Sequence, residues 1–150
     1  MENKYVCSVD IGGTKIATAI MEYPADGSVP HPVFEAEVPT EAQEGGEAVF
    51  QRIEASIKAA LEANPDVEVL GVGIGAAGDP KTGAIAYANE IMPGWSGVQL
   101  GPRLRDDLGL PVAVVGDVQA HALGEAHWGV GKGKFSVLCL GIGTGIGGAY

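Results

Sequence analysis

Asp10-Ile11-Gly12-Gly13-Thr14-Lys15 lies between two apolar runs, Tyr5, Val6, Cys7 and Val9 upstream and Ile16, Ala17, Ala19 and Ile20 downstream. Each run reads as a strand, and two adjacent glycines between them indicate a tight β-hairpin. With no side chains at Gly12 and Gly13, the backbone N–H groups of the turn can approach a ligand closely. Thr14 adds a hydroxyl, Lys15 a cation and Asp10 a carboxylate suited to a hydrated magnesium ion. Six residues thus carry what is needed to handle a phosphate. The same residues also suit an ordinary Gly-Gly hairpin whose polar side chains face water.

Working outward, Glu22 to Pro32 contains three prolines and reads as a solvent-facing connection, and Val33 to Val38 alternates apolar and acidic residues as a half-buried strand does. Val49, Phe50, Ile53, Ile57, Ala60 and Leu61 then recur at helical spacing, with Arg52, Glu54, Lys58 and Glu62 on the other face. Asn64-Pro65 stops that helix. Val67 to Ile74 reads as a buried strand opening into the turn Gly75 to Pro80, and a short strand is expected around Ala84 to Ala88. Pro102 to Leu108 reads as a helix with proline in its first turn and Gly109 as its stop. Val112 to Val115 is a further strand. Asp117 begins a helix running to about Trp128, and Phe135 to Leu140 is a last apolar strand. Strands alternating with helices imply an α/β layered fold, its sheet mixed because of the opening hairpin.

The chain has 150 residues, 46% of them hydrophobic, which is ample for one packed domain and argues against disorder. Its net charge is -10. Most of the excess falls between Glu22 and Glu68, where eleven acids face only Arg52 and Lys58. An acidic surface without a basic stripe disfavours direct nucleic-acid binding and anionic membranes. Cys7 and Cys139 sit inside apolar runs and read as buried, reduced thiols, with neither a disulfide framework nor zinc spacing. No stretch reaches the roughly 18 apolar residues of a membrane span, and the N-terminus does not resemble a signal peptide, so a cytoplasmic protein is expected.

Gly73, Gly75, Gly78 and Gly143, Gly145, Gly148 each match a G-x-G-x-x-G pattern, but neither match opens a helix, and a dinucleotide site is not expected. Leu140 to Gly148 instead parallels the first turn: an apolar strand, glycines with one threonine, then a second apolar start. Thr14 and Thr144 hold similar places. Two such hairpins facing one another could grip a polyphosphate from both sides.

In these features the sequence resembles the ROK family of sugar kinases and sugar-sensing repressors. Asp10 to Lys15 is similar to its first phosphate loop, Leu140 to Gly148 to its second, and Asp117 with Ala120 and Leu123-Gly124-Glu125 to its catalytic-aspartate helix. Asn89 through Pro93-Gly94-Trp95 resembles its sugar-contact loop. The resemblance implies an α/β fold of the actin-like ATPase (ribonuclease H-like) type, with a mixed, mostly parallel sheet and helices on both faces. It implies residues 1–134 as an N-terminal lobe and 135–150 as the start of a truncated second one.

It further implies ATP-dependent phosphorylation of a hexose or N-acetylated amino sugar, with Asp117 as general base. Asp10 would organise Mg²⁺ through water. ATP would meet Gly12, Gly13, Thr14 and Lys15 on one side and Gly143, Thr144 and Gly145 on the other, while Gly78, Asn89 and Asp117 would contact the sugar. Read without the resemblance, Asp117 is equally an N-terminal helix residue, and Lys15 can point to solvent. Trp95 is expected to be a packing anchor, and His31, His121 and His127 structural or exposed residues.

The chain departs from the family pattern at Gly116 and Gln119, where the family often has asparagine, and at Glu90 and Ile91 in the sugar loop. Adenosine-pocket and zinc-site counterparts are absent, so the chain alone is expected to be an inactive fragment of a protein that forms a homodimer. Ordering about seven strand residues costs roughly 1–2 kcal/mol each, whereas burying two or three large side chains returns about 1.5–3 kcal/mol each. Residues 135–150 are therefore expected to be mobile or paired with another edge. The alternative function is a sugar-sensing transcriptional regulator without its DNA-binding module.

Overall fold

The computed structural model describes residues 2–88, 90, 92–142 and 146–150. Strand β1 (Lys4–Ile11) turns at the two glycines into β2 (Lys15–Tyr23), and β3 (His31–Pro39) follows antiparallel to β2. After helix α1 (Gly46–Ala63), strand β4 (Val69–Gly75) returns parallel to β1. Helix α2 (Leu100–Leu108) then leads to β5 (Val112–Val115), parallel to β4. The five strands lie in the order β3-β2-β1-β4-β5. The sheet is mixed, as expected, with parallel pairing confined to β1, β4 and β5 rather than running through most of it.

Alternation along each strand gives the sheet two unlike faces. One carries Cys7, Val9, Ile16, Ile20, Val72, Ile74, Val112 and Val114, all buried. Against it pack Val49, Phe50, Ile53 and Ile57 of α1 and Leu100 and Leu104 of α2. Buried polar atoms on this side are paired: the Thr18 and Ser56 hydroxyls share a hydrogen bond of 2.7 Å. Helix α1 ends where the Asn64 side chain donates to the Ala60 carbonyl, and α2 ends at Gly109, whose φ of 66° is the left-handed conformation that glycine adopts without strain.

Helix α3 (Asp117–His127) follows β5, packs against β4 and lies over the opposite face. Strands β6 (Cys139–Ile142) and β7 (Ile146–Ala149) form a separate antiparallel hairpin packed on α3. This corrects the expectation of a mobile or externally paired tail. β7 is the partner strand, and a Cβ at Gly141 or Gly147 would lie 2.8 or 3.0 Å from Val118 Cγ2 of α3. Glycine at both positions lets the hairpin seat directly on the helix. Its other face, with Leu140, Ile142 and Ile146, is exposed.

Two local expectations also change. The last apolar run is paired only from Cys139, with residues 135–138 outside any strand. Ala84 to Ala88 is no strand beyond an isolated bridge between Gly78 and Ile85. Ile85 is buried and bonds Val98 and Gly97 of the following loop, so its backbone is satisfied locally and not by the sheet.

Candidate active site

Two rows of residues cross the open face of the sheet. Glu37, Ala17, Asp10, Gly75 and Val115 form one, and Glu35, Ala19, Ser8, Gly73 and Ala113 the other, each joined by direct strand pairing. Apart from Val115 their side chains are small or polar, where the opposite face is mostly branched and apolar. With α3 as a wall they leave a cleft of about 870 Å³. Tyr23 and Trp128, in edge-to-face contact at 5.7 Å, close the far end.

Asp10, Gly75 and Asp117 lie at the carboxyl ends of the parallel strands β1 and β4 and just beyond β5, where open α/β sheets take their ligands. Asp117 is the first residue of α3. Gly116, its N-cap, donates its N–H to the Gln119 side chain at 3.1 Å. The Asp117 carboxylate thus sits in the helix's first turn, where the dipole favours negative charge.

A Cβ placed on Gly75 would be 3.6 Å from Asp10 Oδ1 and 3.8 Å from Asp117 Cα. The Asp10 carboxylate and the first residue of α3 thus meet over Gly75, and both aspartates line the cleft. Asp10 is the carboxylate here that could hold a hydrated cation. Among the described residues no group of three or more His, Cys, Asp and Glu side chains is assembled for a metal. Magnesium shared with phosphates requires no such cage.

The first hairpin turn rises from the same end of β1 as Asp10. Gly12 N–H donates to the Lys15 carbonyl at 2.9 Å and closes the turn, leaving Gly13 and Thr14 exposed. Lys15 Nζ pairs with Glu37 Oε1 at 2.5 Å on the neighbouring strand. The Glu37 hydrogen bond, then its charge, holds the ammonium above the usual lysine range. Lys15 is thus engaged at the rim of the cleft, and a phosphate would compete with Glu37 for it. The second hairpin seats its glycines on Val118, next to Asp117. Gly143, Thr144 and Gly145 lie outside the described residues, as does Asn89.

Gly78 does not line the cleft. A Cβ there would lie 2.5 Å from Val114 Cγ1, so packing against β5 already requires glycine. Trp95 is buried, as expected of an anchor, and Gly46 N–H donates to the Pro93 carbonyl at 2.9 Å, docking residues 93–95 on the start of α1. His121 lines the cleft, His127 Nδ1 meets the Leu123 carbonyl at 2.8 Å, and His31 is exposed. The sequence reading missed Gly75 and Glu37 as cleft residues. The strand register that aligns them with Asp10 is their only signal.

The ROK family model matches residues 6–150. This chain belongs to the ROK family. A glucokinase of Halalkalibacterium halodurans is 33% identical over 99% of the chain and 44% of its own length. A glucokinase of Streptomyces coelicolor is 35% identical over 93% and 41%. The structure of a ROK family glucokinase from Streptomyces griseus, in complex with glucose and AMPPNP, superposes with a TM-score of 0.75 at 34% identity, covering 96% of this chain and 43% of that one. This ROK chain therefore has the actin-like ATPase fold implied by the resemblance, and it spans under half the length of these relatives. No helix among the described residues is long and apolar enough to cross a membrane.

Proposed function

We propose that this chain carries the phosphate turn and general base of a kinase that transfers the γ-phosphoryl group of ATP to a hydroxyl of a hexose or N-acetylated amino sugar. The observation that carries the reading is the approach of Asp10 and Asp117 to one vacant position, Gly75, at the mouth of the cleft. Relatives named glucokinases, one of them holding glucose and AMPPNP, support the substrate class.

In this reading the sugar hydroxyl attacks the γ-phosphorus as the bond to the ADP oxygen breaks, and its proton passes to the Asp117 carboxylate. Phosphoryl transfer depends mainly on alignment and charge neutralisation, so Asp117 orients the hydroxyl as much as it deprotonates it. The amides of Gly13 and Thr14 donate to oxygens of the transferring group, and Gly143 to Gly145 approach the nucleotide from the second hairpin. Magnesium, when bound, is held by Asp10 through water and neutralises phosphate charge. Asn89 contacts the sugar. Gly78 shapes that loop by its packing.

Turnover requires the counterpart of the relatives' remaining length, and this chain alone is expected to give little or none. In the whole protein, ADP release measured across hexoses and N-acetylated amino sugars identifies the acceptor. Asp117→Ala should lower turnover by about 10²–10⁴-fold, the usual share of a positioned base, with sugar affinity kept within about tenfold. Turnover that survives this replacement removes Asp117 from the role.

A further inference from the structure

Behind the phosphate turn stands one residue that the mechanism does not use. Thr40 is fully buried just after β3. Its N–H donates to the Thr14 carbonyl at 2.9 Å, and its hydroxyl donates to the Gly12 carbonyl at 2.7 Å. Its own carbonyl accepts from Arg52 Nη1 of α1 at 3.1 Å. The other Arg52 nitrogen, Nη2, is held by Glu41 at 2.6 Å and by Glu44. A turn containing two adjacent glycines is otherwise loose, because glycine loses more conformational freedom on ordering than any other residue.

The bonding is one-sided. Thr40 occupies the carbonyls of Gly12 and Thr14, and the Gly12 N–H occupies that of Lys15. Among the described residues, no acceptor meets the amides of Gly13 and Thr14. The carbonyls of Gly12, Thr14 and Lys15 are thus engaged while the two amides stay in hand for an anion.

We propose that Thr40, braced by Arg52, is a positioning residue for the phosphate turn: its hydroxyl ties back the Gly12 carbonyl and so sets the Gly13 amide, in the same peptide plane, to bind the transferring phosphate. The inference rests on the kinase reading and adds a residue to it. Thr40 does not touch the nucleotide; it acts through the turn.

The test compares Thr40→Val, which keeps the shape and removes the hydroxyl, with Thr40→Ser, which keeps the hydroxyl. In the whole protein, T40V should raise the KM for ATP by about tenfold to a hundredfold, the penalty of a small misplacement at a reacting group. Its sugar KM should stay within about twofold and its melting temperature within about 5 °C, and T40S should behave as wild type. An unchanged KM for ATP overturns the proposal. So does a parallel rise in both KM values alongside a lower melting temperature, which would mark a purely structural residue. Should T40V fail to fold, Arg52→Met removes the far end of the brace. A severalfold rise in the ATP KM alone supports the proposal, and no rise overturns it.

If the wild-type protein phosphorylates no sugar, the kinase reading falls by itself. Thr40 is then judged by the backbone amide signal of Gly13 during titration with inorganic tripolyphosphate. Shifts in wild type that weaken about tenfold in T40V, as misplacement of that donor would produce, support the positioning role. Equal shifts in both proteins, or none in wild type, overturn it.

Discussion

Val9 and Asp10 are neighbours in the chain and belong to opposite worlds. Val9 faces α1 and α2 among Ile16, Ile74 and Val114 and is buried, whereas Asp10 faces the cleft across Ala17 and Gly75 and is exposed. The same strands supply both faces, so the backbone is shared and only the side chains differ. On the sealed face, branched residues are buried against α1 and α2. On the open face, Gly73, Gly75, Ala17, Ala19 and Ala113 lie low enough for a ligand to approach the sheet. The stability of the fold and the chemistry of the site are thus assigned to alternate residues of the same strands, and each can be disturbed without the other.

The largest separable effect should come from the sealed face. Ile53 is fully buried on α1, and Ile53→Ala should cost about 2–5 kcal/mol by lost transfer energy and the cavity left behind. Chemical denaturation measures it. ATP and sugar KM values that move while the protein is still fully folded would show that the faces are coupled after all.

A somewhat smaller effect is expected from Cys7, whose burial pushes its thiol up to about 11 from an ordinary value of 9.0. The unfolded chain therefore loses this proton first. The stabilisation is fully present below pH about 9 and is lost as pH rises through about 11, on the order of 2–3 kcal/mol in all. Urea midpoints from pH 8 to 11 should fall in wild type and fall less in Cys7→Ala, after allowing for that variant's lower starting stability. Identical slopes would mean that the thiol is not sealed as described.

The smallest effect on stability, and the sharpest contrast, belongs to Gly75. An added methyl meets Asp10 and Asp117 only at ordinary contact distance, and φ is not in the left-handed region. Gly75→Ala should leave stability within about 1 kcal/mol, because alanine also removes glycine's entropy cost. It should nevertheless lower turnover by about tenfold or more, by adding bulk to the cleft floor beside the Asp10 carboxylate and the start of α3. Full activity in this variant would break the assignment of the open face to chemistry.

Much of the architecture could be read directly from spacing. The Gly12-Gly13 hairpin, the apolar stripe of α1, the buried runs of β4 and β5 and the start of α3 at Asp117 each depend on residues within a few positions of one another. The same local reasoning failed where long-range packing decided. It made a strand of Ala84 to Ala88, whose buried Ile85 bonds the loop around Val98 instead. It left residues 135–150 without a partner because it could not foresee two glycines seated on Val118.

The chemical inventory of this protein was visible in the chain: two aspartates, two glycine-rich turns, an acidic surface and the order of strands and helices. These follow from side-chain type and periodicity, which act over one turn or one strand. The fold alone decided which of those groups meet. Strand register sets Gly75 beside Asp10, the docking of α3 adds Asp117, and Thr40 reaches back across 28 residues of chain to hold the Gly12 carbonyl. Such meetings depend on how sheet and helices settle against a shared core, and no short stretch of sequence encodes that.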